Sequence, residues 1–347
     1  MFSFKIDVAQ LNKIIPFCGA YIDIMQKGNM AILCSESGQA YVQYVCSALN
    51  TNPNEATNVR VDTNLLVNMA LDGKIDIEVL DSEVCLSFYN DLGQLSYKTF
   101  VPRQISYINL EEKLDIFQRA NSCESYSLIK EQKLIRLASK VKTPFIINEG
   151  FAYMFYNRNY VFHPSECPAF AVDSDLLKKS ISLSLYFKVV GDYLVFKDES
   201  VSIILQKQKL PLMSDIPYLV KYKAKKCIEV DLSKLTHLLS RIKSDKYSIR
   251  LNLDAEKCFI NNDTNKFEVP VEVIDDSSKN KSLDDMLSNL GNGLDLNQQA
   301  DKTDSVLVLP YWLPKVLERT SKVTIYITKR FSIIKFGHIS VTIGGSV

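Results

Sequence analysis

No two of the eight cysteines stand close enough to grip a zinc ion or to outline a disulfide framework. Cys18, Cys34, Cys46, Cys85, Cys123, Cys167, Cys227 and Cys258 are scattered singly, most of them among apolar neighbours. That pattern predicts buried free thiols, at home in a reducing cytosol. Histidine is scarce: His163, His237 and His338 are the whole set, and none has a second histidine or a cysteine at ligand spacing. Glycine is thin too, and Gly291-Asn-Gly293 lacks both the preceding strand and the following Lys-Ser/Thr of a phosphate loop. No G-x-S-x-G, H-E-x-x-H or kinase signature occurs. Asp275-Asp276 and Asp284-Asp285 lie in a polar stretch and read as solvated charge. The expectation is a protein that is not an enzyme, with no catalytic residues, no metal and no cofactor.

Long hydrophobic runs are missing as well. No stretch of about 18 apolar residues is present, so no membrane-spanning helix is expected. The N-terminus lacks a basic stretch followed by an apolar one, so a secretory leader is not expected and the cytoplasm is. Nor is there an excess of one charge: 41 Lys and Arg oppose 40 Asp and Glu. A neutral total says little about partners, because it is compatible with one basic and one acidic face.

What the chain does have is a repeat. Val61-Asp62-Thr63-Asn64-Leu65-Leu66 reads against Val172-Asp173-Ser174-Asp175-Leu176-Leu177. Both continue at helical spacing, with Asp62 or Thr63, and Asp173 or Ser174, able to cap the helix start. Each helix is followed by a hairpin: 75–80 with 84–89, and 185–190 with 193–196. A third copy has a strand at 306–309, a short helix at 311–321, and strands at 323–327, 331–336 and 339–343. A second helix type precedes each copy. It is expected over Gln10 to Ile24 (with Pro16 as a break), Tyr126 to Val141, and Asp231 to Lys243. The reading is therefore α+β, in three modules at 1–118, 119–222 and 223–347. A polar segment at 275–304 interrupts the third and reads as a loop insertion.

Positive charge collects on the predicted helices. Lys130, Lys133, Arg136 and Lys140 are spaced three, three and four along the second-module helix, roughly on one face. Lys178 and Lys179, Lys234 and Arg241, and Lys315, Arg319 and Lys322 belong to three further helices. Few acids accompany them. Distributed cations without base-reading Asn or Gln suit sequence-independent attraction to duplex phosphates.

The chain resembles the bacterial-type β sliding clamp, as a divergent, phage-type relative. Phe2-Ser-Phe-Lys-Ile-Asp-Val-Ala-Gln-Leu11 resembles the family's opening strand and first helix. Val59-Arg-Val-Asp-Thr-Asn-Leu-Leu66 resembles its strand and second helix, and Ser96-Tyr-Lys-Thr-Phe-Val-Pro102 the last strand of its first module. The resemblance implies a head-to-tail homodimer, a closed ring of six modules. Antiparallel sheets would lie outside and helices would line the hole. It implies a polymerase processivity factor whose partners are double-stranded DNA, a DNA polymerase, a clamp loader and a second copy of itself, with no membrane. It also implies a partner-peptide pocket between modules two and three. The walls would be Tyr156, Asn157, Arg158, Asn159 and Tyr160, then Pro217, Tyr218 and Leu219, then Ile343, Gly344 and Val347. The family's usual Thr-Asp-Gly-His-Arg-Leu and Met-Pro-Met-Arg-Leu segments are absent there. The alternative is a monomeric clamp-like processivity or transcription-accessory protein that holds DNA by charge alone.

Overall fold

The computed structural model describes residues 2–49, 58–69, 73–106, 108–156, 159–211, 226–241, 248–252, 255–261, 266–275, 306–309, 313, 322–327 and 331–344. One element order recurs along the chain: strand, helix, three strands. The first repeat is β1 (Phe2–Asp7), α1 (Val8–Ile14), β2 (Tyr21–Lys27), β3 (Met30–Ser37) and β4 (Ala40–Ser47). The second is β5 (Asn58–Asp62), α2 (Thr63–Met69), β6 (Lys74–Val79), β7 (Glu83–Tyr89) and β8 (Leu95–Pro102). After α3 (Leu110–Asn121) comes the third, β9 (Ser125–Ser127), α4 (Gln132–Val141), β10 (Phe145–Asn148), β11 (Phe151–Tyr156) and β12 (Asn159–Pro164). The fourth is β13 (Phe170–Val172), α5 (Ser174–Leu183), β14 (Tyr186–Val190), β15 (Tyr193–Lys197) and β16 (Val201–Gln206). The fifth is β17 (Lys226–Asp231), α6 (Ser233–Arg241), β18 (Ser248–Asn252), β19 (Lys257–Asn261) and β20 (Lys266–Pro270), followed by an extra strand β21 (Glu272–Asp275). The sixth keeps β22 (Val306–Leu309), β23 (Lys322–Ile327), β24 (Phe331–Phe336) and β25 (Ile339–Gly344). The helix expected at 311–321 lies outside the described residues, as does nearly all of the 275–304 segment.

Local chemistry explains the helix starts. Asp62 accepts from the Asn64 N–H at 2.7 Å, Asp173 from Leu176 N–H at 2.9 Å and Asp231 from Ser233 N–H at 2.8 Å. A carboxylate oxygen thus satisfies one otherwise orphaned amide at each start. The same bond to Ser233 is the main reason that the Asp231 carboxyl sits below the ordinary carboxylate range.

Two expected helices are shorter than their sequence pattern. The Gln10 to Ile24 pattern stops at Ile14, passes through one 3₁₀ turn at Ile15–Phe17 and continues as β2. Pro16 has no N–H to donate, which ends the helix. The Tyr126 to Val141 pattern is β9 followed by α4, because Tyr126 pairs with Phe187 across β9 and β14. The helix α3 has no counterpart in the sequence reading.

The repeats exchange their first strands in pairs. β1 pairs with β6 and β5 with β2; β17 pairs with β23 and β22 with β18. The chain divides into two compact units. Unit 1 is Met1–Ser139 with Phe170–Lys209, and unit 2 is Lys140–Ala169 with Leu210–Val347. Unit 1 holds a 4-stranded sheet, β1-β6-β7-β8, and an 8-stranded sheet, β5-β2-β3-β4-β16-β15-β14-β9. The second is continuous because β4 and β16 pair across repeats that are far apart in sequence. In unit 2 the run β10-β11-β12-β25-β24-β23-β17 repeats the order β2-β3-β4-β16-β15-β14-β9, with β12 paired to β25 and the extra strand β21 added beyond β17, and a further sheet is β20-β19-β18-β22.

The 8-stranded sheet is buried on both faces. One alternating set of side chains, Met25, Ile32, Cys34, Tyr41, Val190, Val195 and Ile204, packs with Ile116 and Ala120 of α3. The other set includes Ile24, Leu33, Val42, Ile203 and Leu194, also buried. Strand alternation puts it on the opposite face, and α1, α2 and α5 lie close to the same strands. All eight cysteines are free and buried or half-buried, as expected. Burial pushes the Cys34 and Cys258 thiols up to about 12.

Gly73 has φ +75°, and a Cβ there would stand 2.1 Å from the Tyr89 carbonyl oxygen. Its own carbonyl accepts from the Val8 N–H at the start of α1. Gly73→Ala is therefore expected to cost more than the ~1–3 kcal/mol of a left-handed non-glycine residue alone. Thermal unfolding of the variant checks this, and a melting temperature equal to wild type would refute it.

Candidate nucleic-acid interface

α4 is built as a two-sided rod. Leu134, Ile135, Leu137, Ala138 and Ser139 are buried, while Lys133, Arg136 and Lys140 are exposed. Spacings of three and four keep those cations on one side. The helix contains no acid of its own, and Glu131 just before it is buried. Lys130 is exposed but stands in the turn ahead of α4, not on the helix as the sequence pattern suggested. Lys142 ends the helix with φ 55° and is exposed too.

α5 adds Lys178 and Lys179, both exposed. Its one acid, Asp175, is occupied by a short hydrogen bond from the Ser139 hydroxyl of α4. Lys179 Nζ donates to the Pro16 carbonyl at 3.1 Å. In α1 the single cation, Lys13, is paired with Asp198 at 3.3 Å. Asp198 is held below its ordinary pKa first by the Glu199 N–H and then by Lys13. α2 carries no charge at all. α6 has Lys234 exposed, with Arg241 seven residues on at its C-terminal end, and no acid.

The described helices of the repeats are thus basic or neutral. α3, the one helix outside them among the described residues, is acidic by one charge: Glu111, Glu112 and Asp115 are exposed, Arg119 lies 3.7 Å from Asp115, and Lys113 is buried against Glu36 at 2.8 Å. In unit 1, α3 packs on one face of the 8-stranded sheet and α1, α2 and α5 against the strands' other face, with α4 joined to α5 through Ser139 and Asp175. Negative charge on one face and positive charge on the other reconcile a neutral chain with a phosphate-binding surface.

Lys322 is a strand residue, not a helix residue. It opens strand β23 instead of closing a helix, pairs with Asp231 in register, and its Nζ lies 3.7 Å from Glu229. Two flanking carboxylates offset its charge. Lys315 and Arg319 lie outside the described residues.

The residues assigned to a peptide pocket are only partly described. Asn157, Arg158, Pro217, Tyr218, Leu219 and Val347 lie outside the described set. Tyr156 and Tyr160 are half-buried and Asn159 pairs with Tyr156 at the β11–β12 turn. The Thr342 hydroxyl accepts from the Tyr160 N–H at 2.8 Å. Ile343 is buried in β25 opposite Ser332, and Gly344 ends that strand. Sequence reasoning missed Phe155, which is 46% exposed, with its ring 4.7 Å from that of Tyr160. Beside them Tyr153, Phe151 and Phe162 make an aromatic cluster on one sheet face. The signal was the aromatic density of 151–162.

This is an α+β architecture of strand-exchanged repeats with charged helices and uninterrupted sheets. More narrowly, it is the fold of the DNA polymerase III β subunits, the bacterial sliding clamps. A putative DNA polymerase III β subunit from Eubacterium rectale matches with TM-score 0.67 at 14% identity, over 100% of both chains. The DNA polymerase III subunit β of Pseudomonas aeruginosa matches with TM-score 0.66 at 12% identity, over 99% of each chain. The Helicobacter pylori β clamp, solved bound to a DNA ligase peptide, matches with TM-score 0.62 at 9% identity, over 99% of this chain and 100% of that one. No protein-family model matches the sequence, and no curated protein does. Among the described residues no helix is long and apolar enough to cross a membrane.

Proposed function

We propose that the chain is a sliding clamp, which performs no chemistry, encircles duplex DNA and tethers a DNA polymerase to it. The observation that carries this is the separation of charge: the described repeat helices are basic or neutral and α3 is acidic by one charge. The full-length likeness in fold supports it. Lys133, Arg136, Lys140, Lys178, Lys179, Lys234 and Arg241 are the proposed phosphate contacts, with Lys130 contributing from its turn. Such contacts attract any duplex equally and weaken steeply with salt.

Strand exchange in pairs supports three modules, at 1–118, 119–222 and 223–347. Sheet continuity supports a ring. Within the chain, the last strand of an odd repeat joins the last strand of a later even repeat: β4 with β16, and β12 with β25. Two such strands, β8 and β20, end their sheets among the described residues. β8 of one chain joined to β20 of another uses both and leaves neither exposed for aggregation. Two chains joined head to tail in this way close on themselves. Partner peptides from a polymerase or clamp loader would dock beside Phe155, Tyr156 and Tyr160.

The test is retention on DNA of known topology. The clamp, loaded on a nicked circle, is expected to stay bound at high salt and to be lost when the circle is cut. Loss at moderate salt regardless of topology would instead mean a monomer held by charge alone.

A further inference from the structure

The two seams inside the chain share one register. In the first, Val42 faces Ile203 and Gln43 faces Ser202. Counted from their preceding turns, these are third residue against third and fourth against second. In the second, Val161 faces Val341 and Phe162 faces Ser340, again third against third and fourth against second. Val42, Ile203, Val161 and Val341 are all at most 1% exposed. The seams therefore match core-facing side chains with core-facing ones.

The same matching constrains β8 against β20. Their turns are longer, so the count does not carry over, but the alternation does. On β8, Tyr97 stacks on the buried Phe88 at 4.4 Å, which puts Tyr97, Thr99 and Val101 on the core face. Ser96, Lys98 and Phe100 point the other way and are exposed. On β20, Phe267 and Val269 face the core opposite Ile260 and Cys258, while Lys266, Glu268 and Pro270 are exposed. Keeping core against core leaves Lys98 three possible partners on β20: Lys266, Glu268 or Pro270. Like charges directly opposite are destabilising and opposite charges stabilising. Only Glu268 complements Lys98.

Resting on the ring reading above, we infer that Lys98 of one chain lies opposite Glu268 of the next, and that this pair sets the register of the intermolecular seam. Tyr97 then faces Val269, Thr99 faces Phe267, and the half-exposed ring of Phe100 is covered by the stem of Lys266. Glu268 already holds Lys257 of the neighbouring strand β19 at 2.5 Å and stays half-exposed, so Lys98 would join an existing ion pair. In a ring of two chains the seam occurs twice, so each substitution acts twice.

The experiment is a charge exchange on the full chain, read by sedimentation equilibrium. Lys98→Glu and Glu268→Lys should each raise the dimer dissociation constant about tenfold. The double variant should return to within about threefold of wild type. As a second readout, Lys98→Cys with Glu268→Cys should yield a disulfide-linked dimer under mild oxidation, and Lys98→Cys with Lys266→Cys should not. A wild-type dimer with no rescue, or with the cross-link at 266, overturns the register and leaves the ring standing. A wild-type chain that stays monomeric overturns both.

Discussion

Arg60→Met is expected to destabilise unit 1 by about 3–5 kcal/mol, the cost of leaving a buried carboxylate without its partner. Asp23 is 1% exposed, and Arg60 grips it with both arms: Nε to Oδ1 at 2.8 Å and Nη2 to Oδ2 at 3.0 Å. The guanidinium also lies 5.1 Å from the Tyr21 ring centre. Methionine keeps much of the volume but none of the charge. At roughly 2–4 °C per kcal/mol for a unit of this size, the melting temperature should fall by about 10 °C. Removing both charges together, as Asp23→Leu with Arg60→Met, should recover most of the loss, because no orphan is left. A single variant within 1 kcal/mol of wild type would show that water or another donor satisfies Asp23.

The second large effect is expected on DNA. Lys133→Glu, Arg136→Glu and Lys140→Glu together turn the most basic helix acidic. All three side chains are exposed, so stability should change little. The slope of log affinity against log salt should fall by roughly three, one for each lost phosphate contact. Affinity for linear duplex at near-physiological salt should drop by about a hundredfold. Unfolding curves that match wild type, together with an unchanged affinity and salt slope, would remove α4 from the interface.

How much of this was visible in the sequence depends on how far the determining contacts reach. The caps at Asp62 and Asp173, the hairpins after them, and the exposed basic side of α4 are local, and their spacing announced them. Pro16 announced a break but not that 21–24 would become strand; that is decided by pairing with β3 and β5, which period-2 patterning cannot identify. Tyr126 joined a helical pattern on paper because apolar residues three and four apart fit either reading until β14 claims it. Lys322 was misplaced by one residue, enough to move it from a helix end to a strand flanked by carboxylates. The exchange of first strands left no local trace. α3 did leave one, Asn109 three residues ahead of Glu112, where the side chain accepts from the Glu112 N–H at 3.3 Å. A module boundary between 118 and 119 cuts through that helix. In the aromatic stretch at 151–162 the pattern gave the strands, but exposure of Phe155 follows from its place at the sheet face.

α3 also governs how unit 1 comes apart. Its first half is tied to β3 and β4 through Lys113, Glu36 and Tyr41, and its last residue, Asn121, accepts from Lys188 of β14. The helix therefore straddles the junction at which β4 meets β16. That junction has no opening mode of its own. Parting the two strands also uncovers Ile116 and Ala120 and everything packed on them, so amide exchange there follows cooperative unfolding, not local breathing. A ring assembled from such chains would open at another seam.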